Sequence, residues 1–216
     1  MNESDGSDVS AKRLLKGNEF SINDSFDTIM NSILGYTMIG PTVLQVIYEI
    51  ATMVKLMPGD VAEAGVCKGG TMYLIASILQ DKVIHGFDSW EGLPEPCDKD
   101  IGHIMGKGWG KVEVPYEYLS CFGERIKLHK GWFEDTFQEV ANKEFCLVHC
   151  DADHYSSVKT CMDFFIPRMV SGGFIICDDY GFHLTPGATL AVDEVIRDCG
   201  RSYKYYTLGN LVLRFD

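Results

Sequence analysis

The chain has 216 residues, of which 46% are hydrophobic, and 19 Lys and Arg stand against 31 Asp and Glu for a net charge of -12. That length supports one domain with a buried core, while the negative field argues against DNA or RNA as a partner. The opening MNESDGSDVSAKRLLKG lacks an apolar signal region, and no stretch approaches the roughly 20 apolar residues of a membrane span, so a cytoplasmic protein without membrane contact is expected.

Residues 1–20 are polar and are expected to be flexible. Apolar residues then recur at helical spacing over Ser25 to Leu34 and Pro41 to Met57, predicting N-terminal helices within 21–57. Short apolar runs follow: VAEAG from 61, KVIHGFD from 82, IKLHKG from 126, FCLVHCD from 145 and GFIICDD from 173. Helical patterns over 70–80, 135–142 and 155–170 separate them. This alternation predicts an α/β fold, a doubly wound, mostly parallel sheet with helices on both faces. After a helix over 188–199, SYKYYTL and LVLRF flank Gly209-Asn210, so the chain should close with a hairpin whose last strand runs antiparallel. The eight cysteines form no C-x-x-C pair, and neither a zinc site nor a disulfide framework is expected.

The first strand runs into Glu63-Ala64-Gly65-Val66-Cys67-Lys68-Gly69-Gly70-Thr71, a glycine turn that opens a helix and lets backbone N–H groups approach a ligand. It is neither the G-x-G-x-x-G of dinucleotide binders nor a P-loop. Asp88 ends the second strand about twenty residues on, where a carboxylate can accept both ribose hydroxyls, with Ser89 beside it; Glu63 is placed to hold an ammonium group. Asp88 is equally open to capping the turn Ser89-Trp90-Glu91-Gly92. Trp132 and Phe133, after the third strand, suit either an adenine ring or the core.

Two further strands end in acidic pairs, Asp151-Ala152-Asp153-His154 and Asp178-Asp179-Tyr180. Ligands of doubly wound sheets sit beyond the carboxyl ends of the strands, so the pairs should converge, and carboxylates crowded at one point need a cation or protons. Oxygen ligands favour a hard ion, Mg²⁺ first with Mn²⁺ or Ca²⁺ as alternatives; helix capping and turn formation are the competing roles. Asp151, Asp178 and Asp179 are the candidate ligands, and Asp153, His154 and His183 the candidate bases, with Asp151 also at the reacting centre. Residues 93–119, with GKGWGK at 106–111, suit an active-site lid.

With these pieces in order, the chain resembles the TylF/MycF family, the macrocin-type O-methyltransferases that methylate sugar hydroxyls of macrolides and related natural products. The resemblance rests on Tyr36-Thr37-Met38, on Glu63 through Gly70, and on Phe87-Asp88-Ser89-Trp90-Glu91-Gly92-Leu93-Pro94. It continues through Gly131-Trp132-Phe133 with Asp135-Thr136, Asp151-Ala152-Asp153-His154-Tyr155, Gly172-Gly173-Phe174, Asp178-Asp179-Tyr180-Gly181 and Ala191-Val192-Asp193. It implies a class I, Rossmann-like methyltransferase sheet, S-adenosylmethionine at the glycine loop and Asp88, and Mg²⁺ on Asp151, Asp178 and Asp179. The acceptor would be a small-molecule hydroxyl, a homo-oligomer being compatible. Catechol-type enzymes, with a similar metal spacing, place a lysine base where this chain has His154. A metal-dependent glycosyltransferase would use Asp151-Ala152-Asp153 but leave the glycine loop without work; a nicotinamide oxidoreductase or a non-catalytic nucleotide-binding protein would leave the acidic pairs without any.

Overall fold

A computed structural model describes residues 22–101 and 106–216; the flexible segment expected over 1–20 lies outside them. Helices α1 (Ile22–Ile33) and α2 (Pro41–Val54, entered through its proline) lead into β1 (Asp60–Ala64), α3 (Gly70–Ile78) and β2 (Ile84–Asp88). A long connection ends in α4 (Tyr116–Leu119) and a 3-10 turn, then β3 (Ile126–Lys130), α5 (Phe133–Thr136), β4 (Phe145–Cys150), α6 (Tyr155–Phe165), β5 (Met169–Cys177), α7 (Pro186–Asp198), β6 (Tyr203–Thr207) and β7 (Leu211–Phe215).

The seven strands lie in the order β3-β2-β1-β4-β5-β7-β6, with β1 to β5 parallel and β7 antiparallel to both its neighbours. The expected hairpin is formed. Its turn is compact because Gly209 takes φ +88° and Leu208 N–H reaches the Asn210 carbonyl at 3.0 Å. The strand β7 slots in beside β5, leaving β6 as an exposed edge.

Alternation along the strands sends successive side chains to opposite faces. Val61, Leu147, Ile176 and Val212 join α1, α2 and α3 in one buried cluster; Ala62, Val148, Ile175 and Leu213 join α6 and α7 in the other. Among the boundaries that differ from the sequence reading, three lie around β4 and β5. The helix expected to reach 170 stops at Phe165 and passes into a 3-10 turn containing Pro167, which cannot donate a helical hydrogen bond. The helix expected over 135–142 is one α turn and one 3-10 turn. Strand β5 starts at Met169, four residues before the run read from the sequence, across an irregular register with β4.

Candidate active site

The carboxyl ends of β1, β2 and β4 open into a cleft of about 230 Å³ lined by Gly65, Cys67, Asp88, Trp132, Asp151 and Asp153 among others, and roofed by Gly92 to Pro94 with Trp109 and Gly110. Gly65 decides its shape. Its φ is +94°, and a Cβ there would lie 1.7 Å from the Asp151 carbonyl oxygen, so the glycine loop and the first acidic pair meet backbone to backbone. Asp88 ties the loop from the other side, Oδ2 accepting from Cys67 N–H and Oδ1 from Trp90 N–H, each at 2.7 Å. The capping role left open for Asp88 is therefore real, and the residue also lines the cleft. Among the described residues the non-glycine positions with positive φ are Cys67, Trp90 and Asp153, at the ends of β1, β2 and β4 respectively. Backbone strain of this kind is held where the surroundings over-determine it, often at ligand sites.

The two acidic pairs also converge. Asp179 Oδ2 accepts from the Asp153 N–H at 2.9 Å, clamping that residue in its left-handed conformation. Burial, then the Asp178 and Asp179 charges, raises Asp151 well above the usual carboxylate range. Asp153 is pushed up to about 8 by burial and by Asp179 and Asp178. Burial also takes Asp179 to about 6 against the opposing backbone hydrogen bonds. Crowded carboxylates of this kind favour a bound cation.

Beneath them lies a pair the sequence reading did not single out. His149, fully buried on β4, holds Glu63 Oε1 at 3.0 Å through Nδ1 and faces Asp178 Oδ1 at 3.9 Å through Nε2. Burial alone would lower the imidazole, but Asp178 and Glu63 together hold it well above the ordinary histidine value. The signal available was only the polar residue inside the apolar run FCLVHC.

Other expected site residues fall elsewhere. Glu63 points into this buried pair and not into the cleft; Gly69, Gly70 and Thr71 also do not line it. Gly70 N–H is taken by the Tyr36 carbonyl at 3.0 Å, and Thr71 Oγ1 sits 3.5 Å from Thr37 Oγ1, so the segment after α1 covers the start of α3. Of the candidate bases, Asp153 lines the cleft, whereas His154 is buried at the start of α6 and His183 lies on the surface beyond β5. Ser89, Trp132 and Phe133 line the cleft, Phe133 also stacking on Phe137 at 4.8 Å. For the metal, no group of three or more His, Cys, Asp or Glu among the described residues is spaced as a ready cage. The donors are of the right kind nonetheless, and buried Asp178 Oδ1 has no hydrogen-bond partner. Asp179, in contrast, is already committed to backbone amides.

The model of the macrocin O-methyltransferase (TylF) family matches residues 11–198. Among curated proteins the chain is 26% identical to demethyldecarbamoylnovobiocin O-methyltransferase of Streptomyces niveus, covering 74% of this chain and 67% of that protein. It is 27% identical to a tetracenomycin-C 4'-O-methyltransferase of Streptomyces olivaceus, covering 57% and 54%, so it spans about half to two thirds of the length of these relatives. Its fold is similar to that of the O-methyltransferase NovP (TM-score 0.76, 22% identity, covering 91% of this chain and 99% of that one). It is also similar to CalS11, a calicheamicin methyltransferase (TM-score 0.71, 19% identity, 99% of each chain).

Proposed function

Because the chain belongs to the macrocin O-methyltransferase (TylF) family, we propose that it transfers a methyl group from S-adenosylmethionine to a hydroxyl on a sugar, or other vicinal diol, of a small-molecule natural product. The observation that carries this reading is one continuous cleft lined by Gly65 and Asp88 together with Asp151 and Asp153.

S-adenosylmethionine bound there supplies the electrophilic methyl carbon. Backbone at Gly65 and Cys67 gives it close approach, the Asp88 carboxylate offers acceptors for ribose hydroxyls, and Trp132 provides a flat apolar face. Mg²⁺, with Mn²⁺ or Ca²⁺ as substitutes, would be held by Asp151 and Asp178, with Asp179 joining on release of its backbone amides, and would supply a Lewis acid for the acceptor oxygen. Asp153, the candidate base that lines the cleft, takes the hydroxyl proton at a carboxylate oxygen. Gly92 to Pro94 with Trp109 and Gly110 shield the reacting groups from water, and the clamped backbone of β1 and β4 aligns acceptor oxygen, methyl carbon and sulfur for in-line displacement.

Calorimetric titration with S-adenosylmethionine, UDP-glucose and NAD, each with and without Mg²⁺, tests this. S-adenosylmethionine should bind and the other two should not; failure to bind it overturns the reading. Mg²⁺ at 100 times its Kd should stabilise the chain by about 2.7 kcal/mol, which at about 2–4 °C per kcal/mol is a rise in Tm of about 5–11 °C. Asp178→Asn should abolish that rise and spare cofactor binding; an unchanged rise rejects the metal assignment.

A further inference from the structure

Helix α6 follows directly on Asp151-Ala152-Asp153-His154, and its N-cap, His154, makes no side-chain capping hydrogen bond. The missing acceptor comes from another part of the chain. Asp100, on the strap between β2 and α4, is only 5% exposed. Its Oδ1 accepts from the first amide of α6, Tyr155 N–H, at 2.8 Å, and its Oδ2 from Cys97 N–H at 2.8 Å. Next to it Lys99 Nζ donates to the Tyr155 hydroxyl at 2.7 Å and to Glu194 Oε1 at 3.0 Å, while the Tyr155 hydroxyl donates to Glu194 Oε2 at 2.5 Å. Helix α7 leaves room for this arrangement: a Cβ on Gly187 would lie 2.1 Å from Asp100 Oδ1.

The same strap roofs the cleft. Leu93 and the 108–109 turn pair by two 2.8 Å backbone hydrogen bonds, and Gly92 to Pro94, Trp109 and Gly110 line the cavity. We infer that Asp100 is a positioning residue: by lending its carboxylate as the cap of α6, it couples seating of the strap to the placement of Asp153 at the cleft. Asp153 is held in a left-handed conformation from two sides, by Asp179 on its own N–H and, two residues on, by Asp100. An unseated strap removes the second hold, so Asp153 reaches its working position only under a closed roof. A lone surface loop would instead leave α6 to cap itself.

The kinetic half of the test rests on the methyl-transfer reading; hydrogen exchange does not. In Asp100→Ala, kcat should fall about 10- to 100-fold, the scale of an ångström-sized misplacement. The Kd for S-adenosylmethionine should change less than threefold. Asp100→Asn has one carboxamide oxygen for Tyr155 N–H but loses the bond from Cys97 N–H, so its kcat should fall clearly less than that of Asp100→Ala. Gly187→Ala, which leaves Asp100 in the sequence but pushes it off its seat, should reproduce the loss. Amide exchange over 152–156 should accelerate in Asp100→Ala and Gly187→Ala and clearly less in Asp100→Asn, with exchange in β1 and β4 unchanged as the control for folding. The inference is overturned if Asp100→Ala keeps normal exchange at 152–156, if Asp100→Asn is as impaired as Asp100→Ala, or if cofactor affinity falls in step with kcat. If the unaltered chain methylates nothing and the exchange pattern still holds, the coupling stands and the proposed activity falls.

Discussion

Gly65→Ala puts the contact between the glycine loop and the acidic strand under direct stress. The new Cβ would lie 1.7 Å from the Asp151 carbonyl oxygen and 2.8 Å from its carbonyl carbon, where ordinary contact begins at 3.4 Å, so the ends of β1 and β4 must separate by more than an ångström. The left-handed φ of +94° adds about 1–2 kcal/mol of strain for an L side chain. Forced repacking adds a further 1–3 kcal/mol or so, giving a loss of about 3 kcal/mol. At about 2–4 °C per kcal/mol for a chain of this size, Tm should fall by about 6–12 °C. Turnover should drop about 100-fold, since Asp151 and Asp153 move with the strand end. Gly35 supplies the control: its φ is +84° but nothing lies within 4 Å of the point a Cβ would occupy there, so Gly35→Ala carries the strain without the collision. Thermal melts and calorimetric titration of both variants decide the matter. A Gly65→Ala chain that melts with Gly35→Ala and binds S-adenosylmethionine normally would refute the reasoning.

Asp153→Asn should lower kcat by about 10²–10⁴ with unchanged cofactor Kd, measured by steady-state kinetics and calorimetry; a chain that retains full turnover would remove Asp153 as the base. His149→Phe leaves Glu63 buried without its partner and should cost about 3–5 kcal/mol in chemical denaturation, while the double variant with Glu63→Gln should recover part of that loss; a mild single variant would contradict the buried pair. His85, wedged between Asp60 and His129, is pushed below the ordinary histidine value, chiefly by burial. The unfolded chain therefore takes up this proton first, and stability present above the ordinary histidine range should decline as pH falls through it. His85→Gln should flatten that part of a stability curve taken from pH 8 to pH 5, and parallel curves would count against the assignment.

The framework was readable because it depends on local pattern. Apolar runs of strand length alternate with helical spacing, and four carboxylates end two of those runs, which the topology then brings to one edge. What stayed hidden depends on partners distant in sequence. Glu63 read as a ligand contact because nothing in its neighbours announces His149, 86 residues away, as its partner. Gly70 read as a ligand-facing amide, yet Tyr36 takes its hydrogen bond. His154 read as a base because its ring chemistry fits, but its position at the start of α6 turns the side chain into the interior. The strap shows neither period, so the carboxylate it sends to α6 could not be anticipated from its own residues.

The contact at Gly65 also divides the molecule into parts that can and cannot vary. Backbone joined to backbone leaves no side chain to exchange, so the floor of the cleft offers an engineer little to adjust. The roof is different: Leu93, Pro94 and Trp109 meet the cavity through side chains carried on a removable span fastened at Asp100. If the proposed methyl transfer holds, exchanging that span between relatives, with the Asp100 fastening and Gly187 kept, is the economical route to a different acceptor on an unchanged floor.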